Sequence, residues 1–426
     1  MNPITNRRLF LRSAAATTLI AGFPNILLAQ GSNAKLKIGL VGCGGRGTGA
    51  ADQALSADPN VVLWAMADAF GGQISNSLNN LSKKFSGKID VPEARQFTGL
   101  DAYQKLLDSG VDVVLLASPP GFRPLHLRAA IEAGKHVFAE KPMAVDVAGV
   151  KSVMESAKLA KQKNLTLQHG FCWRFSPNTR AGYGKVLSGE LGRVVSVYGT
   201  YMGGVPKPST AVADRDPKLG DVEWQVRNWM AHEWLSGGPL LEQAIHTVDK
   251  IAWAMNDVAP IAARGCGGRT QRSDDGNVWD HYEVTFEYPN EVLCHIHQRQ
   301  MGGCFSEVKD RVHCEKGIME APDRVLTKDI SGKINWAYRG DNTNMYQVCH
   351  NEWFAAIRKG EPLNTGEYMA NSTMLAILGR EAAHSGQRVT WAELWNATQD
   401  LAPDSLQMGD KHPTATVPVP GRYKLI

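Results

Sequence analysis

The 426-residue chain is poor in the features that mark metal, redox or nucleic-acid-binding proteins. It has seven cysteines, an odd number, and no two stand in Cys-x-x-Cys spacing. This argues against a zinc cluster or a dithiol site and makes most of them small buried hydrophobes. Charge of one sign is equally scarce: lysine plus arginine exceed aspartate plus glutamate by only 4. The charges are scattered, so nothing in the balance attracts nucleic acid or an anionic membrane. Beyond the first thirty residues no apolar run is long enough to cross a bilayer, and there is no internal repeat or low-complexity tract.

What is present begins with an address. Asn6-Arg7-Arg8-Leu9-Phe10-Leu11-Arg12 has a twin-arginine pattern, followed by a mildly apolar stretch from Ser13 to Leu28 that Gly22 and Pro24 interrupt. Residues 1–30 are therefore expected to be an export signal read by the twin-arginine translocase, with cleavage near Ala29 and a periplasmic or secreted product. The rest carries 43 basic against 42 acidic residues, and is long enough for two domains with substantial cores.

The chemistry starts at Leu36-Lys-Ile-Gly-Leu-Val-Gly42-Cys-Gly44-Gly-Arg-Gly47. An apolar run reads as a buried strand ending at Gly42. Gly44 lets backbone approach a phosphate, and Gly47 lets the next helix pack against the strand. The helix N-terminus offers free N–H groups and partial positive charge. A second apolar run, Val61 to Asp68, ends in a carboxylate placed for a ribose, 21 positions after Gly47. Asp68 favours NAD, with NADP left open because cations elsewhere could offset it. An exported enzyme has no dinucleotide pool to draw on, so the cofactor is expected to be loaded before export and held tightly.

From residue 31 to 165 short apolar runs alternate with helical segments, among them strands at Val111–Ala117 and Lys135–Ala139 and helices at Leu125–Ala133 and Val147–Lys161. This alternation predicts an α/β domain with a doubly wound parallel sheet. Over 166–400 the runs lengthen and alternate with period two, as in Val194–Tyr201, His281–Tyr288 and Val292–Gln298. That predicts a second α/β domain with a large, mostly antiparallel open sheet. Helices are expected at Leu240–Met255, Met345–Lys359 and Ala370–Ser385. Prolines at 403, 413, 418 and 420 make 401–426 an extended tail that wraps a neighbour or its own surface.

Three further segments matter: Ala133-Gly-Lys-His-Val-Phe-Ala-Glu140-Lys141-Pro142, Gly170-Phe-Cys-Trp173-Arg174-Phe175, and Gly237-Gly238-Pro-Leu-Leu-Glu242-Gln-Ala-Ile-His246-Thr-Val-Asp249. With the glycine loop, in this order, the chain resembles the Gfo/Idh/MocA oxidoreductases. The resemblance implies a Rossmann domain followed by an α/β domain whose open sheet often mediates oligomers, a nicotinamide cofactor, and a sugar or polyol substrate. It also implies that Lys141 and His246 line the substrate site. Gly42, Gly44, Gly45, Arg46, Gly47, Asp68, Ser118, Pro119, Glu140 and Lys141 are then the expected dinucleotide contacts.

Taking hydride from a secondary alcohol requires a group that accepts the hydroxyl proton, and histidine titrates near working pH. His246 stands one helical turn after Glu242, so the two share a face. His246 is expected as general base and acid, Lys141 as the second proton-carrying or orienting group, and Glu242 as support. Trp173 and Arg174 could hold a sugar ring and its hydroxyls. Two departures from the family pattern stand out. Glu242 replaces the usual aspartate, and His126 lies seven residues after Pro119 where four is usual.

Bland readings stand beside these. A Lys-Pro at a strand end is commonly a solvated loop, a helical histidine commonly structural, and a tryptophan beside an arginine commonly core and surface. A metal set of Glu242, His246, His295 and His297 has ligand spacing, but paired histidines on a strand are more often polar surface, so no metal is expected. Two rival functions remain: a glycosidase working through transient oxidation, elimination, water addition and re-reduction, and a non-catalytic dinucleotide-binding protein.

Overall fold

A computed structural model describes residues 34–403 and 405–425. The expected export signal, 1–30, lies outside them. The first sheet contains β1 (Leu36–Val41), β2 (Val61–Asp68), β3 (Gln96–Thr98), β4 (Val113–Leu116), β5 (His136–Ala139) and β6 (Leu167–His169). All are parallel, in the order β3-β2-β1-β4-β5-β6. Five helices fill the connections: α1 (Gly45–Ala57), α2 (Gly71–Lys84), α3 (Ala102–Asp108), α4 (Arg123–Glu132) and α5 (Val147–Gln162). The continuous apolar runs follow from this placement. With helices on both faces, every residue of β4 and β5 is buried, so neither strand needs a polar side. The order reverses between β1 and β4, where α/β sheets open a crevice beyond the strand ends. The sheet takes in β6, just past the expected boundary at 165.

The second sheet holds β7 (Val194–Gly203), β8 (Ala262–Gly268), β9 (His281–Glu287), β10 (Leu293–Gln300), β11 (Glu307–Cys314), β12 (Gly317–Ala321), β13 (Leu326–Asp329), β14 (Ile334–Ala337) and β15 (Val389–Thr390). Its order is β14-β13-β12-β11-β7-β10-β9-β8-β15, antiparallel throughout except where β7 meets β10. Period two is strict on β10. Cys294, Ile296, Gln298 and Gln300 are buried, whereas His295, His297 and Arg299 are half-exposed on the open face.

The other helices are α6 (Pro177–Leu187), α7 (Asp221–Arg227), α8 (Glu233–Ser236), α9 (Pro239–Glu242), α10 (Ile245–Ala254), α11 (Met345–Lys359), α12 (Gly366–Ser385) and α13 (Trp391–Asn396). The expected single helix Leu240–Met255 is two. Pro239 starts a short turn, Gln243 and Ala244 leave the helical ladder, and Ile245 begins again. The break lets Glu242 and His246 leave separate segments. α11 returns to the first domain, where Trp353, Phe354 and Ile357 share a core with Leu36, Ile38 and Leu55, and Arg358 pairs with Asp58 at 2.6 Å.

The tail, as described, has no helix or strand and wraps its own chain. The amides of Asp221 and Gly421 donate to the carbonyls of Asp410 and Ser385, at 3.0 and 2.9 Å. The Tyr423 hydroxyl donates to Glu381 at 2.8 Å. Among the described residues no helix is long and apolar enough to cross a membrane. Five of the seven cysteines are buried and all seven are unpaired.

Candidate active site

A cavity of about 1280 Å³ runs from the glycine loop across the crevice to the second domain. The glycines divide their work. Gly42 has φ +91°, and a Cβ there would lie 2.5 Å from the amide of Ser118. A Cβ on Gly47 would lie 1.8 Å from the Gly42 carbonyl oxygen, so only glycine lets α1 meet β1 this closely. Gly44 and Gly45 meet nothing within 4 Å and line the cavity, so a Cβ at either would fill open space at the start of α1. Bare backbone at the N-terminus of a thirteen-residue helix is a cradle for a pyrophosphate. Asp68 closes the cradle. Its carboxylate accepts from the amides of Cys43 (2.6 Å) and Phe70 (2.9 Å), and burial pushes its pKa upward. The donor set fits a dinucleotide.

The next wall comes from the end of β5. Glu140, nearly sealed from solvent, pairs with Arg46 at 2.6 Å. Burial pushes the Glu140 carboxyl up, but Arg46 and Lys141 outweigh it and hold the group below its ordinary value. Gly170 is required beside it, because a Cβ would lie 2.5 Å from a Glu140 oxygen. The Lys141–Pro142 peptide is cis, and the Lys141 ammonium donates to the backbone carbonyl of Glu242. The first domain's lysine is thereby tied to the second domain's α9.

Glu242 and His246 reach the same cavity. The Oε2 of Glu242 and the Nδ1 of His246 are buried and have no hydrogen-bond partner among the described residues. Buried polar atoms are normally paired, so two orphans on one cavity wall are free to take substrate hydroxyls. Burial, then the charges of Lys141, Lys250 and Arg46, holds the His246 imidazole well below its usual pKa. It is neutral and able to accept a proton.

Ser118 and Pro119 line the cavity as expected. His126 also lines it, despite its shifted position. A 3-10 turn at Pro120–Phe122 takes up the extra residues and returns the imidazole to the wall, where Nδ1 meets the Ser118 hydroxyl at 3.0 Å. Burial and the neighbouring Arg123 push its pKa down to about 3, so it stays neutral. Arg123 is itself buried and donates to the Ser118 and Pro142 carbonyls.

Two expected substrate residues are not on the cavity wall. Arg174 is buried in an ion cluster, with Asp249 at 2.9 Å and Asp257 at 2.5 Å, and Ser372 donates to Asp249 at 2.8 Å. Its guanidinium is spent on holding α10 and the turn after it to the Cys172–Phe175 turn. Trp173 lies beneath the Lys250 ammonium, 5.1 Å from the ring centre. The weighed metal set does not assemble either. His295 meets Thr285 at 3.0 Å and His297 faces Glu283 at 3.9 Å on the sheet's open face. Glu233, Glu381 and His384 do bring ligand atoms together, but Arg380 already fills that cluster, 3.1 Å from Glu233 and 2.8 Å from Glu381.

Several wall residues carried no sequence motif. Tyr346, from the start of α11, lies with its ring 4.9 Å from the Arg46 guanidinium. Lys207, Thr210, Arg227, Trp229 and Met230 come from the segment between β7 and α8 and cover the end near Asp68 and Phe70. They could not be found from spacing, because they belong to an irregular stretch about 140 positions or more beyond the carboxylate they approach.

The comparisons agree with this architecture. A family model described as an oxidoreductase family with an NAD-binding Rossmann fold matches residues 36–171, and the corresponding C-terminal domain model matches 185–320. An inositol 2-dehydrogenase of Paracoccus denitrificans is 26% identical over 224 residues, 52% of this chain and 55% of the relative. The alignment thus spans about half the length of that relative. An inositol 2-dehydrogenase of Rubrobacter xylanophilus is 25% identical over 295 residues, covering 69% of this chain and 73% of its own. The structure of an aldose-aldose oxidoreductase from Caulobacter crescentus, complexed with glycerol, superposes with a TM-score of 0.66 at 18% identity over 84% of this chain and 99% of its own. A parallel nucleotide-binding sheet, a mostly antiparallel second sheet and two matching domain models together make the chain a member of the Gfo/Idh/MocA oxidoreductase family.

Proposed function

We propose that the protein is an exported oxidoreductase that moves hydride between a retained NAD and a hydroxyl of a sugar or polyol. The observation that carries this reading is the convergence of Lys141, Glu242 and His246 on the cavity that also holds the glycine cradle. Bound there, the dinucleotide would supply the hydride acceptor. The chain's own groups would do the rest: the neutral His246 takes the carbinol proton, Lys141 orients the oxygen, and the Glu242 carboxylate fixes a neighbouring hydroxyl. Gly44, Gly45 and Asp68 would hold pyrophosphate and ribose. A volume of about 1280 Å³ exceeds the 300–1,000 Å³ of a single small-ligand pocket and suits two ligands together.

Tight retention is supported by the covering segment. Val222 and Val226 of α7 pack on Phe122 and Trp234, with Phe70 and Leu100 of the first domain against the same cluster. The tail fastens this cover, since Gln225 donates to the His412 carbonyl at 2.6 Å. Arg7 and Arg8 support export, and the open face of the second sheet suits a homo-oligomer. Purified protein should release NAD on denaturation, identified by mass and absorbance, and a panel of aldoses and cyclitols should reduce the bound dinucleotide. Protein loaded with NAD that none of the panel reduces, and that cleaves aryl glycosides instead, would replace this reading with the redox-neutral one.

A further inference from the structure

Of the buried ion pairs outside the proposed chemistry, one stands next to His246. Lys250 follows His246 by one turn of α10, and its ammonium meets the Asp310 carboxylate of β11 at 2.5 Å. The two side chains are 1% and 2% exposed. The pair is placed by the sheet. Asp310 stands opposite Gly199 of β7, whose missing Cβ makes room for Thr247 of α10, 2.3 Å from where that Cβ would be. This brings the helix close enough for the lysine to reach the next strand. Beneath the ammonium lies the Trp173 ring, at 5.1 Å.

Stability alone is a weak reason for such a pair. Desolvating two charges roughly cancels their attraction, and an apolar pair of similar volume would hold the helix as well. The distinctive fact is position, on the same face and one turn beyond the imidazole. We propose that the Lys250–Asp310 pair is a positioning device for His246, a cation fixed inside the protein that opposes protonation of the imidazole between turnovers. The proposal rests on the role given to His246 above.

The other charged groups around that imidazole differ in kind. Lys141 and Arg46 come from the first domain and line the cavity, so a bound dinucleotide and substrate change their surroundings. Glu242, on α9, faces the same space. Asp249 is turned away to Arg174 and Ser372. Burial, then the Asp310 and Asp249 carboxylates, pushes the Tyr183 hydroxyl of α6 well above its ordinary pKa. Among the described residues, Lys250 is the cation that both bears on His246 and is shielded from solvent, with 1% of its side chain exposed. Its influence is therefore the same with the cavity filled or empty.

The test does not need turnover, so it stands apart from the test of the function. Histidine-15N-labelled full-length protein as purified is titrated by NMR, with His246→Asn assigning the resonance. Lys250→Met should raise the imidazole midpoint by about one pH unit, the size of one removed neighbouring charge. The double variant K250M/D310L, which leaves no buried charge unpaired, should fold and shift the midpoint the same way. An unchanged midpoint in either folded variant would overturn the proposal and reduce the pair to a helix anchor.

Discussion

The Lys141 ammonium donates to the backbone carbonyl of Glu242, so the end of β5 in the nucleotide-binding sheet is fastened to the turn that presents His246. This contact ties the two domains together beside the two proton-handling groups. Lys141→Met should lower turnover by about 10²- to 10⁴-fold while NAD remains bound, because the glycine cradle is untouched. Bound-dinucleotide absorbance and single-turnover reduction measure the two effects separately.

His246 gives a prediction in pH. Burial, and then three cations, lower its pKa, so the imidazole stays neutral as pH falls through the ordinary histidine value of about 6.5. The acid limb of kcat/KM should therefore lie below that value, and His246→Asn should abolish the limb together with about 10²- to 10⁴-fold of the rate. A limb centred near 6.5 in the wild-type enzyme would remove His246 as the proton acceptor.

The glycines can be told apart by experiment. Gly44→Ala adds a methyl where no atom lies within 4 Å, so the fold should hold and dinucleotide affinity should fall. Gly47→Ala drives a methyl to 1.8 Å from the Gly42 carbonyl oxygen and should destabilise the domain itself. Thermal melts with and without added NAD separate the two.

Arg174→Met should cost roughly 3–5 kcal/mol of stability by leaving Asp249 and Asp257 as unpaired acids. KM for any substrate should change little, since the guanidinium does not face the cavity. A large KM effect without loss of stability would restore the arginine to the substrate site.

These contrasts show which parts of the molecule local sequence carries. β4 and β5 were readable because an interior parallel strand must be apolar on both faces. Gly44 and Gly47 were readable because their tasks lie within the first strand-to-helix turn. Arg174 was misread because its partners Asp249 and Asp257 are 75 and 83 residues away, and only the fold brings them together. His126 fell out of the expected spacing because no short-range rule says that Pro120–Phe122 will coil into a 3-10 turn. The helix from Leu240 kept its apolar period through Gln243 and Ala244, so periodicity alone gave no sign of the break. Tyr346 has no motif at all. It enters the cavity wall only because Trp353 and Phe354, further along α11, belong in the core of the first domain.

The fastening of α7 by residues near 410 bears on how a bound dinucleotide would leave. The Asp410 and Met408 carbonyls accept from the amides of Asp221, Val222 and Glu223, in the roof of the nucleotide chamber. A dinucleotide beneath that roof would leave when these latches open, so they would set its residence time. Gln225→Leu, which unfastens one latch at His412, should yield protein that loads normally but loses its dinucleotide faster on dilution, measured by the decay of bound-cofactor fluorescence.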